Sequence, residues 1–145
     1  MAALAAARIL PVRVDKQGAV PDERLAECDL MMLTPGHQCP SSVSMPLARR
    51  QTLIEAVRAA GTILVENDYD ADLFVEGEKA PPLRACDAER NVIYVGSFSK
   101  ILSPGLRLGF VVAPPPVIEG LRALRRLVMR HPPANNQRAM ALSLI

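Results

Sequence analysis

Apolar positions come in short blocks along the chain: Arg8–Val14, Leu30–Leu33, Thr62–Val65, Val92–Val95 and Leu108–Ala113. Each block is short for a helix and bounded by turn-forming residues, so each predicts a strand. Between them the period changes to that of a helix. Pro46–Ala60 sets Leu47, Leu53, Ile54 and Val57 on one stripe, with Gln51, Thr52 and Glu55 opposite. Gly61 stands where such a helix should stop. Arg50 falls inside the apolar stripe, which predicts a side chain that snorkels out to solvent. Pro21 opens a shorter helix to about Glu27, with Asp22 and Glu23 in its first turn as the helix dipole favours. Pro114–Pro116 starts a basic helix through Arg130, and Asn135–Ile145 reads as one more. Met1–Ala7 resembles the tail of a helix, and Asp72–Asp87 reads as loop around Gly77, Pro81 and Pro82.

Strands alternating with helices predict an α/β layered domain with a largely parallel sheet. The last two strands are the exception. Only a short turn broken by Pro104 and Gly105 joins them, too little for a parallel crossover, so they should pair antiparallel. In an open parallel sheet, ligands gather beyond the carboxyl ends of the strands. Thr34–Cys39, Glu66–Tyr69 and Ser97–Lys100 all follow strand ends, so three loops distant in sequence should line one crevice.

Composition adds bounds. At 145 residues, half of them apolar, the chain has about one domain's worth of core. A net charge of +2 gives no reason to expect nucleic acid or a membrane surface as partner. Cys28, Cys39 and Cys86 are scattered, which gives no metal-site signal and suits a reducing compartment. There is no basic leader, no apolar run of membrane length and no internal repeat, so the expectation is a soluble cytoplasmic protein.

The chemistry concentrates in Asn91–Ala113. Lys100 lies where a buried strand ends, with Ser97, Ser99 and Arg107 close in sequence. Two cations and several hydroxyls at one sheet edge predict an anion site beside a reactive amine. Open beside that reading are a surface lysine with a turn-capping arginine, and an amphipathic edge tyrosine at Tyr69. His37 is equally readable as a loop histidine making local hydrogen bonds.

S-F-S-K followed by P-G-L-R-L-G resembles the cofactor-lysine segment of fold-type I, pyridoxal-phosphate-dependent aminotransferases of class I/II. T-P-G-H-Q-C-P (Thr34–Pro40), V-E-N-D-Y-D (Val65–Asp70) and R-H-P-P (Arg130–Pro133) are similar to the aminotransferase-like domain of MocR/GabR-type regulators. Those proteins join it to a GntR-type winged helix. The resemblance implies part of a three-layer large domain over residues 1–145, mostly parallel, with one antiparallel strand after the lysine segment. It also implies a fragment, without the N-terminal part of that domain or a C-terminal small domain.

The implied cofactor is pyridoxal 5'-phosphate, and the implied reaction moves an amino group between an amino acid and a 2-oxo acid. Lys100 would form the Schiff base and shuttle the substrate proton. Arg107 would clamp the phosphate, with Ser97 and Ser99 donating hydroxyl bonds. Tyr69 would bond the phenolic oxygen, and His37 and Gln38 would face the ring or the substrate. Asn67 occupies the position where the family's aspartate meets the ring nitrogen. A neutral amide cannot favour a charged ring nitrogen as a carboxylate does, so transamination should be weakened. Gly36 and Ser42 depart from the family's T-P-S-H-Q-x-P-T-G. The complete family forms homodimers; no direct nucleic-acid contact and no membrane contact is expected from this segment. Two alternatives stand beside catalysis: a non-catalytic module sensing pyridoxal phosphate and an effector, and an inactive truncated remnant. Taken alone, the segment should bind cofactor weakly and expose unpaired strand edges.

Overall fold

The computed structural model describes residues 7–69, 80–89, 91–100, 103–131 and 133–143. Two strands, β1 (Val14–Asp15) and β2 (Gly18–Ala19), form a small antiparallel hairpin. Four more build the main sheet in spatial order β3 (Leu30–Leu33), β4 (Ile63–Asp68), β5 (Ile93–Ser97) and β6 (Gly109–Val112). β3 and β5 run parallel to β4, while β6 returns antiparallel to β5, as the short turn requires. The helices are α1 (Leu47–Ala60), α2 (Leu83–Cys86), α3 (Pro115–Met129) and α4 (Ala134–Ser143). No helix among the described residues is long and apolar enough to cross a membrane.

The block Arg8–Val14 does not join this sheet. Only Val14 is in strand, inside the hairpin, and Ile9 is 70% exposed. Pro11 offers no N–H to a ladder. Pro21–Glu27 forms a single 3₁₀ stretch, Glu23–Glu27, with the Asp22 side chain accepting from the Arg24 N–H. The helix-like reading of Met1–Ala6 and the loop reading of Asp72–Lys79 fall outside the described residues.

Period-two alternation decides the core. In β3 and β4, Met31, Leu33, Leu64 and Glu66 are buried, and the register pairs Met31 with Leu64 and Leu33 with Glu66 on one face. Leu53, Ile54 and Val57 of α1 belong to the same core cluster, with Met45, Leu25, Leu83 and Val92. On the opposite face Leu30, Met32 and Ile63 are exposed. Leu47, expected on the buried stripe, is exposed as well, because it sits on the first turn of α1 beyond the sheet. α3 has no buried residue at all, although its apolar positions form a clear stripe.

Arg50 departs from its expected snorkel. It is 2% exposed and sits in the core among hydrogen-bond acceptors. Its Nε donates to the Met45 carbonyl (2.9 Å), Nη1 to Pro81 (3.1 Å) and Nη2 to Pro35 (3.1 Å). The Glu66 carboxylate lies 3.6 Å from Nη1 and accepts the Leu83 and Arg84 amides at 2.9 Å each. A charge can be buried when such bonds replace water.

Candidate functional site

Three segments end at the same edge of the sheet: Thr34–Cys39 after β3, Tyr69 after β4, and Phe98–Lys100 after β5. The contacts join them. The Tyr69 hydroxyl donates to the His37 carbonyl at 3.2 Å, and Lys100 Nζ stands 4.6 Å from the centroid of the Tyr69 ring. A cation over an aromatic face is attracted by the ring quadrupole. Tyr69 is therefore the hinge of the cluster, bonded to one loop and stacked under the amine of another. At the end of β5 the Ser97 hydroxyl accepts the Ser99 N–H (3.2 Å), which leaves its own proton to donate elsewhere.

Asn67 remains in the ladder, level with Val95, and is half-buried on the face opposite Glu66 and Asp68. Its side chain makes no hydrogen bond to the described residues. Asp68 stays in register too, level with Gly96, so the strand does not slip to bring a carboxylate to the Asn67 side. Instead Asp68 is 5% exposed, with Oδ2 accepting from the Tyr94 hydroxyl at 2.9 Å. Its Oδ1 is buried without a hydrogen-bond partner among the described residues. Above it is Gly36, where an added Cβ would lie 3.2 Å from that oxygen.

Arg107 is exposed, with φ 50, and closes the 3₁₀ turn Pro104–Leu106. It lines a cavity of about 810 Å³ between β5, β6 and the helices α3 and α4, shared with Phe98, Ile118, Arg122, Arg125 and Met140. The contacts thus bring His37, Tyr69 and Lys100 together, with Asn67, Ser97 and Ser99 on the adjoining strand ends. Arg107 makes no hydrogen bond or ion pair to the described residues. Arg122 and Arg125 are exposed on α3, as solvated helix positions should be.

Two features escaped sequence reasoning. Arg50 signalled itself only as a charge in an apolar stripe, and its partners Pro35 and Pro81 are remote in sequence. The Tyr94–Asp68 bond spans 26 positions and has no local signature.

An amine with hydroxyls beside it at one crevice suits a phosphorylated aldehyde by donor chemistry, and comparison with known proteins points the same way. The family model described as aminotransferase class I and II matches residues 20–144. The HTH-type transcriptional regulator TauR of Rhodobacter capsulatus is 44% identical over 138 residues, covering 95% of this chain and 28% of that protein. An uncharacterized aminotransferase of Saccharolobus solfataricus is 38% identical over 108 residues, 74% of this chain and 27% of its own length. Among solved structures, LysN, the α-aminoadipate aminotransferase of Thermus thermophilus complexed with N-(5'-phosphopyridoxyl)-L-leucine, superposes with a TM-score of 0.84. It is 32% identical, over 92% of this chain and 36% of that one. The chain therefore spans roughly a third or less of the relatives it matches.

Proposed function

Because the chain belongs to the aminotransferase class I and II family, we propose that it carries the lysine half of a pyridoxal-phosphate site. When bound, pyridoxal phosphate supplies an aldehyde that captures amines and a ring that accepts the electron pair left on an amino-acid α carbon. Lys100 is the amine held for that aldehyde and the group that moves the substrate proton. Tyr69, placed under Lys100, orients the lysine, and its one hydroxyl proton, given to the His37 carbonyl here, turns to the cofactor's phenolic oxygen when that is bound. Ser97 and Ser99 donate to the phosphate, with Arg107 as its counter-charge. His37 holds the Tyr69 hydroxyl through its carbonyl in the free chain, and its ring is assigned to face the cofactor ring or the substrate. Asn67 faces the ring nitrogen. The observation that carries this reading is the Lys100–Tyr69–His37 cluster.

A second reading has a specific observation in its favour. Asn67 is neutral, and the neighbouring carboxylate of Asp68 is committed to Tyr94 on the opposite face. Without a carboxylate at the ring nitrogen, binding survives better than turnover. That favours a sensing module of a MocR-like regulator, in which amino acids are effectors rather than consumed substrates. In either case the working unit is proposed to be a homodimer, with no nucleic-acid contact from this segment. The three free cysteines fit the reducing cytoplasm.

The test is to mix the chain with pyridoxal phosphate, reduce with borohydride and map the modified residue by mass spectrometry. Adduct on Lys100, lost in Lys100→Ala, supports the reading. Labelling spread over surface lysines refutes it.

A further inference from the structure

Arg50 is bonded to residues that flank the site, yet it touches none of the candidate cofactor-binding residues. Pro35, directly before Gly36 and His37, gives its carbonyl both to Arg50 Nη2 (3.1 Å) and to the Met45 amide (2.9 Å). Glu66, directly before Asn67, faces Arg50 from β4 and takes the first two amides of α2. The loop after β3 is thus fastened to β4 at two heights. At the base runs Pro35–Arg50–Glu66; at the top runs His37–Tyr69. Between the two fastenings lie Gly36, Asn67 and Asp68. The guanidinium also reaches Met45 and Pro81, so one planar group fixes three carbonyls from separate parts of the chain. A lysine ammonium, a point donor on a flexible stem, cannot span three carbonyls in fixed directions.

Resting on the pyridoxal-phosphate reading above, we propose that Arg50 is a positioning residue. Its guanidinium sets the spacing between the Thr34–Cys39 loop and the Asn67–Tyr69 strand end, and so sets how tightly the chain holds pyridoxal phosphate. Small displacements of positioned groups have large consequences for a bound reactant, up to about a hundredfold for about 1 Å. The lower fastening is the one that a bound cofactor cannot replace, because it lies in the core.

A plain Arg50→Met change would leave Glu66 buried and unpaired, and unfolding would obscure the answer. The informative variant is Arg50→Met with Glu66→Gln, which removes both charges together. Arg50→Lys serves as the second variant, since it keeps a cation beside Glu66 but loses the fork. Two measurements are made on the full chain: the dissociation constant for pyridoxal phosphate, and amide hydrogen exchange at Gln38 and Met45 without cofactor. The expected results are a dissociation constant raised about tenfold or more and exchange at both amides faster by a similar factor, both read well below each variant's melting transition, because the carbonyls released by Arg50 lower the melting temperature. Arg50→Lys should move both readouts in the same direction. Unchanged exchange at Gln38 and Met45 in both variants overturns the proposal. So does faster exchange with an unchanged dissociation constant. If the parent chain itself takes up no pyridoxal phosphate, the functional reading falls, and the exchange rates alone still decide whether Arg50 holds the loop.

Discussion

Replacing Gly36 with serine should stabilise the chain, and the structure fixes how. Among the described residues Asp68 Oδ1 is a buried acceptor without a donor, a situation that costs about 1–3 kcal/mol. A Cβ added at Gly36 would lie 3.2 Å from that oxygen and 4.0 Å from its carbon, so a hydroxyl one bond further out can swing into hydrogen-bond range. The Cβ contact is tight, and crowding should cancel on the order of 1 kcal/mol. Alanine at the same position meets the same crowding and brings no donor. Both replacements also restrict the unfolded chain, worth roughly 0.4–1 kcal/mol to each. The diagnostic quantity is therefore serine minus alanine, expected at about 1–2 kcal/mol in favour of serine. For a chain of this size that separates the melting points by roughly 2–8 °C. Thermal and urea unfolding of Gly36→Ser and Gly36→Ala would measure it, with the pair repeated in an Asp68→Ala background. The reasoning is refuted if alanine matches serine, or if the serine advantage persists once Asp68 is gone.

Three further outcomes are expected. Asn67→Asp should raise transamination of the assembled site by about tenfold or more, since each 1.36 kcal/mol of preference for the charged ring nitrogen is one decade; equal rates would count against Asn67 as the ring-nitrogen contact. Burial pushes the Glu66 carboxyl above its ordinary range, against the pull of the Arg84 and Leu83 amides and of Arg50, while Asp68 adds a smaller push upward. Its folded value then exceeds its unfolded one, so the stability it contributes is full at low pH and lost as pH rises through the folded value. Glu66→Gln should remove that contribution in melts taken from about pH 4 upward, and a slope identical in parent and variant would overturn the assignment, whatever sign the low-held Asp15 and Asp22 carboxyls give the parent. Where β5 meets β6, a Cβ at Gly96 would lie 2.5 Å from the Phe110 ring and one at Gly109 would lie 2.7 Å from the Gly96 carbonyl oxygen. The ring is half exposed and can swing aside, whereas the backbone cannot. Gly109→Ala should therefore destabilise by more than Gly96→Ala, with the first near the upper end of about 1–3 kcal/mol and Phe110→Leu rescuing only the second.

The sheet was legible because its strands carry their own signal. Leu30–Leu33 is a strand to the residue, and the antiparallel return of β6 followed from turn length alone. Helix α1 begins one residue after the expected start, with Gly61 closing it at φ 71. Arg8–Val14 was misread because an apolar block predicts burial only when a neighbouring strand offers a ladder, and Pro11 interrupts one. Arg50 was misread for a deeper reason. Local spacing says that a cation in an apolar stripe must reach solvent, but the carbonyls of Pro35 and Pro81 and the carboxylate of Glu66 stand in for water, and none is near it in sequence. At the site, strand ends located Lys100 and Tyr69 correctly beside one another. The cation over the ring and the orphaned oxygen of Asp68 are products of packing that no one-dimensional pattern records.

The chain has two tyrosines and no tryptophan. Tyr69 lies under the Lys100 amine and Tyr94 is bonded to Asp68, one strand away. Ultraviolet emission from this segment therefore comes from one tyrosine at the crevice and one on the other face of the sheet, with no tryptophan background. A small molecule that absorbs near the tyrosine emission and settles in the crevice would dim the signal directly, so occupancy can be followed by fluorescence without attaching a dye.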